Sequence, residues 1–334
     1  MEAKCTMDYS KTATLVYATY ADGAWSELKS YAGDTMNLHL MNASLHYGIE
    51  AFEGLKAYRG KDGKVRIFRP WENARRLQRA CDYLAMATVP EDMFIDACVR
   101  AVKENIDYLP DYGTYSSMYI RPFVICTNPQ ISLVVAKEFM FVVVVTPIGS
   151  YTGGMLKQTK ALIVRDCDRS APLGSGSYKI GANYAAPMKV GMLAAKQGYA
   201  SILYLDSKTK RNIEEFSSSN FLAIRGNSYI TPDSPSVLPS ITNKSLMEIA
   251  QSIGMTVEKR VVPVEELATF DEAAACGTAL VVTPVCEIDD PDAGVQYRIG
   301  SPDQVGKVSI DLFHRLTGIQ FGESEDPFGW CMEI

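Results

Sequence analysis

The stretch GSGSYKIGANYAA, residues 174–186, sets a single lysine, Lys179, among glycines, serines and alanines, with Tyr184 five positions on. Small residues allow other groups to approach the backbone closely. A solvated surface lysine needs no such setting, so the pattern asks what comes near Lys179. Desolvation or a neighbouring cation lowers the pKa of a lysine and frees its amine for nucleophilic attack. Taken alone, a lysine in a glycine-rich stretch is more often a solvated loop residue.

Three further stretches change that balance. RNIEEFSSSNFLAI, residues 211–224, carries two adjacent carboxylates, Glu214 and Glu215, ahead of a serine-rich turn and an apolar strand. Side chains alternate along extended backbone, so one of the pair faces inward while the other stays wet. A buried carboxylate needs a cationic partner. VLPSITNKSLMEIA, residues 237–250, places Pro239 and Ser240 before a helix whose first-turn N–H groups can receive a phosphate. Ser240 or Thr242 serves equally as an ordinary N-cap there. ENARRLQRA, residues 72–80, offers Arg75, Arg76 and Arg79, one of which can turn to a phosphate while the others stay in solvent.

Composition narrows the classes of function. The 334 residues are 47% hydrophobic and 22% charged, which is ordinary globular composition at a length that suggests two domains. A net charge of -6 argues against a general nucleic-acid binder, which needs a basic face. The opening MEAKCTMDYSKTATLVYATY lacks the basic start and apolar run of a signal peptide. FMFVVVV, residues 139–145, is too short to span a membrane. The eight cysteines form no Cys-x-x-Cys pair and there are three histidines, so no zinc site is expected and the thiols suit a reducing, cytoplasmic setting. No Gly-x-Ser-x-Gly elbow supports a serine hydrolase.

Periodicity then orders the elements. EGLKAYRG and KVRIFRP read as strands joined by a turn over 60–63, and PWENARRLQRACDYLAMA and EDMFIDACVRAVKENI as helices. YSSMYIRPFVIC and KEFMFVVVVTP read as strands, followed by the polar, glycine-rich IGSYTGGMLKQ at 148–158 as a domain boundary. Beyond it, strands at 160–166, 200–206 and 220–231 are mixed with helices at 183–198, 241–254 and near 302–318. Strands and helices do not alternate strictly, so two α+β domains are expected rather than a doubly wound sheet. The division is a small domain over 1–149, a loop over 150–160 and a larger domain over 161–334 that carries the lysine.

A lysine for an imine, a carboxylate for a ring nitrogen, and a helix start with an arginine for a phosphate together describe pyridoxal 5′-phosphate chemistry. The sequence also resembles the branched-chain amino acid aminotransferases of the fold-type IV class, in their longer form. The likeness runs through LHYGIEAFEGLKAYRG (45–60), YIRP (119–122), YKIGANYA (178–185), EEFSSSNFL (214–222), LPSIT (238–242), GTALVVTPV (277–285) and LTGIQFG (316–322).

The resemblance implies an α+β, two-domain fold of the D-amino acid aminotransferase-like kind, with a small N-terminal α/β domain and a larger barrel-like one. It implies Lys179 as the Schiff-base lysine, Tyr184 on the cofactor's phenolic oxygen and Glu215 on the pyridine nitrogen. Arg76 and the backbone of Ile241 and Thr242 would hold phosphate, with Thr278 completing that end. Ser218 stands where the longer enzymes carry threonine. Tyr47, Phe52, Tyr119, Arg121 and Tyr151 would line the substrate pocket, Arg121 taking a glutamate γ-carboxylate. The N–H groups of Thr278 and Ala279 would take the α-carboxylate.

The implied reaction moves the amino group of leucine, isoleucine or valine to 2-oxoglutarate in a cytoplasmic homodimer, with no nucleic acid or membrane partner. D-amino acid aminotransferase, aminodeoxychorismate lyase and a non-catalytic binding scaffold are the alternatives. One departure stands out: where some relatives carry a Cys-x-x-Cys redox pair, this chain has Leu280 and Thr283.

Overall fold

The computed structural model describes residues 9–150, 153–171 and 173–334. The strands of the first half are β1 (Thr14–Ala21), β2 (Ala24–Trp25), β3 (Lys29–Ala32), β4 (Glu50–Phe52), β5 (Leu55–Arg59), β6 (Val65–Phe68), β7 (Ser117–Cys126) and β8 (Phe139–Ile148). Those of the second half are β9 (Thr159–Ile163), β10 (Ser201–Leu205), β11 (Ile213–Phe216), β12 (Asn220–Arg225), β13 (Ser228–Pro232), β14 (Thr256–Arg260), β15 (Glu272–Gly277), β16 (Val281–Asp290), β17 (Val295–Arg298) and the terminal β18 (Cys331–Glu333). The helices are α1 (Ala43–Tyr47), α2 (Pro70–Tyr83), α3 (Glu91–Glu104), α4 (Ala182–Ala185), α5 (Met188–Lys196), α6 (Ile241–Ser252) and α7 (Lys307–Gln320).

Contacts divide the chain into two compact units. One takes the described residues up to Gly154 together with Tyr178–Ala182 and Gly318–Ile334; the other takes Met155–Ser177 and Asn183–Thr317. The border falls inside the glycine-rich loop read from the sequence. The lysine-bearing segment and Gly318–Ile334, both expected with the second domain, group with the first.

The first unit holds an antiparallel sheet in the order β18-β6-β5-β7-β8-β1-β2, with β3 on β1 and β4 on β7. Alternation along its strands sorts the residues. Ala51, Leu55, Ala57, Met118, Ile120 and Val124 point into a core shared with Leu77 and Cys81 of α2 and Phe94 and Ala97 of α3. The opposite face carries Phe52, Lys56, Tyr119 and Arg121, because Phe52 pairs with Phe123 and Lys56 with Tyr119. Sequence periodicity placed α2 and α3 well, since their apolar residues recur at helical spacing. It did not single out β18, which is too short to carry a pattern and is held by pairing with β6.

The second unit is built on β11-β10-β9-β16-β15-β12, and β11 also pairs with β12, so these six strands close into a ring. Glu215 and Asn220 form the closing pair. Strands β9, β10 and β16 run parallel, whereas β15 is antiparallel to β12 and β16. Strand β13 extends the sheet through the turn at Gly226, whose φ of 56 suits glycine. The single helix expected over 183–198 is two helices, α4 and α5, separated at Ala186 and Pro187. Proline has no N–H to donate into the first helix and its ring crowds the preceding turn.

Candidate active site

Lys179 is half-buried. Its backbone is fixed by the first unit: its carbonyl accepts the Phe52 N–H at 3.1 Å and Ile180 forms an antiparallel bridge with Ala51. The Lys179 Nζ lies 4.7 Å from the centroid of the Phe52 ring. Arg121 approaches the same ring, its guanidinium carbon 4.6 Å from the centroid, and donates from Nη2 to the Tyr119 hydroxyl at 3.2 Å. Both contacts have the geometry of a cation over an aromatic face. Among the described residues the Arg121 Nε is buried without a hydrogen-bond partner. Tyr119 also fixes the chain at Gly54, where a Cβ would fall 1.9 Å from its hydroxyl.

The small residues around Lys179 have a reason that spacing did not supply. A Cβ on Gly176 would lie 2.3 Å from the Ser236 carbonyl and 2.9 Å from Arg169 Nη2. One on Gly181 would lie 2.0 Å from the Glu50 carboxylate. Two of the glycines are thus required by the protein's own packing.

Of the three arginines on α2, Arg76 is the buried one, and Arg75 and Arg79 are exposed. Arg76 donates from Nε and Nη2 to the two oxygens of Glu53 at 2.7 and 2.8 Å, and Asn73 adds a bond to Glu53 at 2.7 Å. Glu53 is fully buried. The paired geometry orients the guanidinium, and removing one partner would leave a buried charge. Tyr47 ends α1, half-exposed, with its hydroxyl donated to the Ile131 carbonyl. Tyr151 lies outside the described residues.

In the second unit, Glu215 is buried and meets three donors. Arg169 Nη2 lies 2.7 Å from its Oε1, the Leu238 N–H donates to Oε1 at 3.0 Å, and Asn220 donates to Oε2 at 3.0 Å. The Leu238 contact ties the carboxylate to the chain that leads into α6. There Ser240 is the N-cap, its hydroxyl accepting the Asn243 N–H at 3.1 Å. The N–H groups of Ile241 and Thr242 have no partner within the helix. Gly277, at the end of β15, packs beside Ser219 and the Ser218 carbonyl, which brings the Thr278–Ala279 turn next to the exposed Ser218. Tyr184 sits half-buried on α4.

Glu214 corrects the expectation of one wet carboxylate: both are buried. Burial pushes the Glu214 carboxyl above its usual range, against a hydrogen bond from Ser234 at 2.7 Å and the charge of Arg169. Arg169 and Glu53 are the residues that sequence reasoning missed. The rule that a buried carboxylate needs a cation demanded such a partner for Glu215, yet nothing in the spacing of the chain selects Arg169.

The cysteines nearest the Thr278 turn carry no redox pair. Cys276 and Cys286 are buried and free, and burial raises both thiols. Leu280 and Thr283 occupy the alternative positions. Among the described residues no group of His, Cys, Asp or Glu could hold a metal ion, and no helix is long and apolar enough to cross a membrane.

Comparison with known proteins shows the family and the fold. Residues 50–288 match the family described as amino-transferase class IV. A branched-chain-amino-acid aminotransferase of Haemophilus influenzae is 44% identical over 333 residues, 98% of this chain and 96% of that protein. The enzyme of the same name from Helicobacter pylori is 41% identical, over 98% and 95%.

Among solved structures, the Escherichia coli branched-chain amino acid aminotransferase superposes with a TM-score of 0.79 at 25% identity, covering 96% of this chain and 99% of that one. The branched-chain amino acid aminotransferase of Thermobaculum terrenum, described in its PLP-form, gives 0.78 at 23% identity, over 96% and 98%. These likenesses bear out the fold-type IV architecture and the resemblance read from the motifs. The chain is an aminotransferase and belongs to the amino-transferase class IV family.

Proposed function

We propose that this aminotransferase moves the amino group of L-leucine, L-isoleucine or L-valine to 2-oxoglutarate, giving the 2-oxo acid and L-glutamate, with pyridoxal 5′-phosphate as its cofactor. The observation that carries the reading is the shared ring of Phe52, with the Lys179 amine 4.7 Å from its centroid and the Arg121 guanidinium carbon 4.6 Å from it. An aromatic wall takes an aliphatic side chain by burying apolar area. A guanidinium beside that wall would take the second carboxylate of glutamate through paired hydrogen bonds. One surface thereby suits both partners of the exchange.

The donor set fits the cofactor. A half-buried amine, a buried carboxylate with its own cation, and the N–H groups opening α6 match an aldehyde, a ring nitrogen and a phosphate. When bound, the cofactor supplies an electron sink for the charge that develops at the substrate α-carbon. Lys179 Nζ would act as general base, moving the proton from that carbon to C4′ of the cofactor when the donor reacts and in the opposite direction when the acceptor is aminated. Glu215 would keep the ring nitrogen protonated, and Tyr184 would donate to the phenolic oxygen. Arg76, the first turn of α6 at Ile241 and Thr242, and Thr278 would hold the phosphate, with Ser218 as a further candidate. The N–H groups of Thr278 and Ala279 would hold the substrate α-carboxylate, and Tyr47, Phe52 and Tyr119 would exclude water from its side chain. The free state of the described cysteines suits a reducing, cytoplasmic compartment.

A donor panel with 2-oxoglutarate tests the reading. L-Leucine, L-isoleucine and L-valine are expected to react with ping-pong kinetics and D-leucine to fail; Lys179→Ala is expected to abolish turnover. Preference for D-leucine, or release of pyruvate and 4-aminobenzoate from aminodeoxychorismate, would overturn it, as would transamination by Lys179→Ala near the unsubstituted rate.

A further inference from the structure

Tyr178, immediately before Lys179, lies flat on Tyr83, the last residue of α2. Their ring centroids are 4.0 Å apart and their planes 15° apart. Arg79, one turn earlier on the same face of α2, brings its guanidinium carbon to 5.8 Å from the Tyr178 ring. On the other side of the lysine the chain is held by different means. Lys179 accepts the Phe52 N–H, Ile180 bridges Ala51, and Gly181 is pressed against the Glu50 carboxylate. The segment Tyr178–Ala182 is thus docked on β4 by its later residues and on α2 by Tyr178. The chain up to Ser177 and from Asn183 packs with the other unit.

A lysine side chain has four rotatable bonds, so its amine is placed only as well as the backbone beneath it. The β4 contacts fix that backbone from Lys179 onward. Before Lys179 the run Gly174, Ser175, Gly176, Ser177 is held by hydrogen bonds of Ser175 with Asn183 and of the Gly176 carbonyl with Arg169, and it has no large side chain of its own. Tyr178 is the first residue there that can supply one. We propose that the Tyr178–Tyr83 stack, closed by Arg79, is a clamp that positions Lys179 from its N-terminal side and keeps its amine at the Phe52 ring. Tyr178 and Tyr83 are positioning residues: they act through the location of Lys179 and take no part in proton transfer. The inference rests on the reading of Lys179 as the reactive amine, and it is separable from that reading by experiment.

Two measurements are made on Tyr178→Ala, Tyr83→Ala, the double variant and Tyr178→Phe. The first is amide hydrogen exchange over residues 178–182 in the cofactor-free protein, with the peptides of α3 as an internal check on the global fold. The second is the rate at which borohydride fixes added pyridoxal phosphate on Lys179. Each alanine variant is expected to exchange faster at 178–182 with α3 unchanged, and to capture the aldehyde about two- to tenfold more slowly. The double variant is expected to be no worse than either single one, since one contact is lost in all three. Tyr178→Phe keeps the ring and is expected to behave as the unsubstituted protein. Unchanged exchange and capture in Tyr178→Ala would overturn the clamp, as would a Tyr178→Phe variant as impaired as Tyr178→Ala. Failure of the unsubstituted protein to capture pyridoxal phosphate at Lys179 overturns the functional reading instead, while the exchange data still decide whether the stack holds the segment.

Discussion

Lys56 stands on β5 directly opposite Tyr119, on the sheet face that also carries Arg121 and Phe52. It is buried, and burial lowers its pKa to about 8. The folded state therefore disfavours the proton that the unfolded chain keeps up to the ordinary lysine value. Between pH 8 and that ordinary value of 10.5 the unfolded state binds more protons, so this group's contribution to stability rises with pH. The full swing is on the order of 3 kcal/mol. Buried thiols work in the opposite direction: Cys81, pushed up to about 12, favours the unfolded state as pH rises above the ordinary thiol range. The difference between the protein and its Lys56→Met variant isolates the lysine. In urea unfolding series that difference is expected to move in favour of the unsubstituted protein from pH 8 to 10.5; a flat difference would show that Lys56 is not desolvated in the fold.

At the scale of elements, α6 is placed by a short run of backbone that serves two purposes. Leu238 donates its N–H to Glu215, and two residues later Ser240 caps the helix. Ser240→Ala removes the side-chain acceptor for the Asn243 N–H and is expected to cost about 1 kcal/mol in chemical denaturation, whereas Ser240→Gly is expected to cost only a few tenths. Equal losses in the two variants would mean that the hydroxyl is not acting as a cap. Most elements were legible because their signals are local. The hairpin at 60–63, α2, α3, β7, β8 and α6 all lie where periodicity and turn residues place them. The 183–198 helix failed because its apolar pattern continues across Pro187, while the backbone cannot.

At the scale of the whole molecule, the first unit exposes an apolar surface that its fold does not explain. Leu40 and Leu45, 77% and 61% exposed, lie on one loop-and-helix segment, and Ile131, Leu133, Val134 and Val135, at 60–80%, on another. Hydrogen bonds from Gln130 to the Met41 carbonyl and from Tyr47 to the Ile131 carbonyl bring the two segments together. Exposed apolar residues grouped in this way favour an association site, which would suit the homodimer that the resemblance implies. Light scattering is expected to give twice the chain mass, and a Leu45→Asp, Val135→Asp double variant to shift that value towards the monomer. A monomeric unsubstituted protein at micromolar concentration would count against the assignment.

The sequence by itself determined the chemistry on offer and most of the elements that carry it. A lysine, a carboxylate pair, an arginine helix and a capped helix start are recognisable because each is a local pattern of residue types. The tertiary structure alone decided how those groups are partnered. Glu215 meets Arg169, which is distant in sequence, and both Glu214 and Glu215 are buried on β11, the strand that closes the ring at Asn220. Arg76 rather than Arg75 or Arg79 turns inward because Glu53 waits at the link from β4 to β5. The lysine segment packs with the first unit, although its chain neighbours pack with the second. Each of these depends on groups distant in sequence meeting where water is excluded, where an unpaired charge is costly, and no local pattern records that meeting.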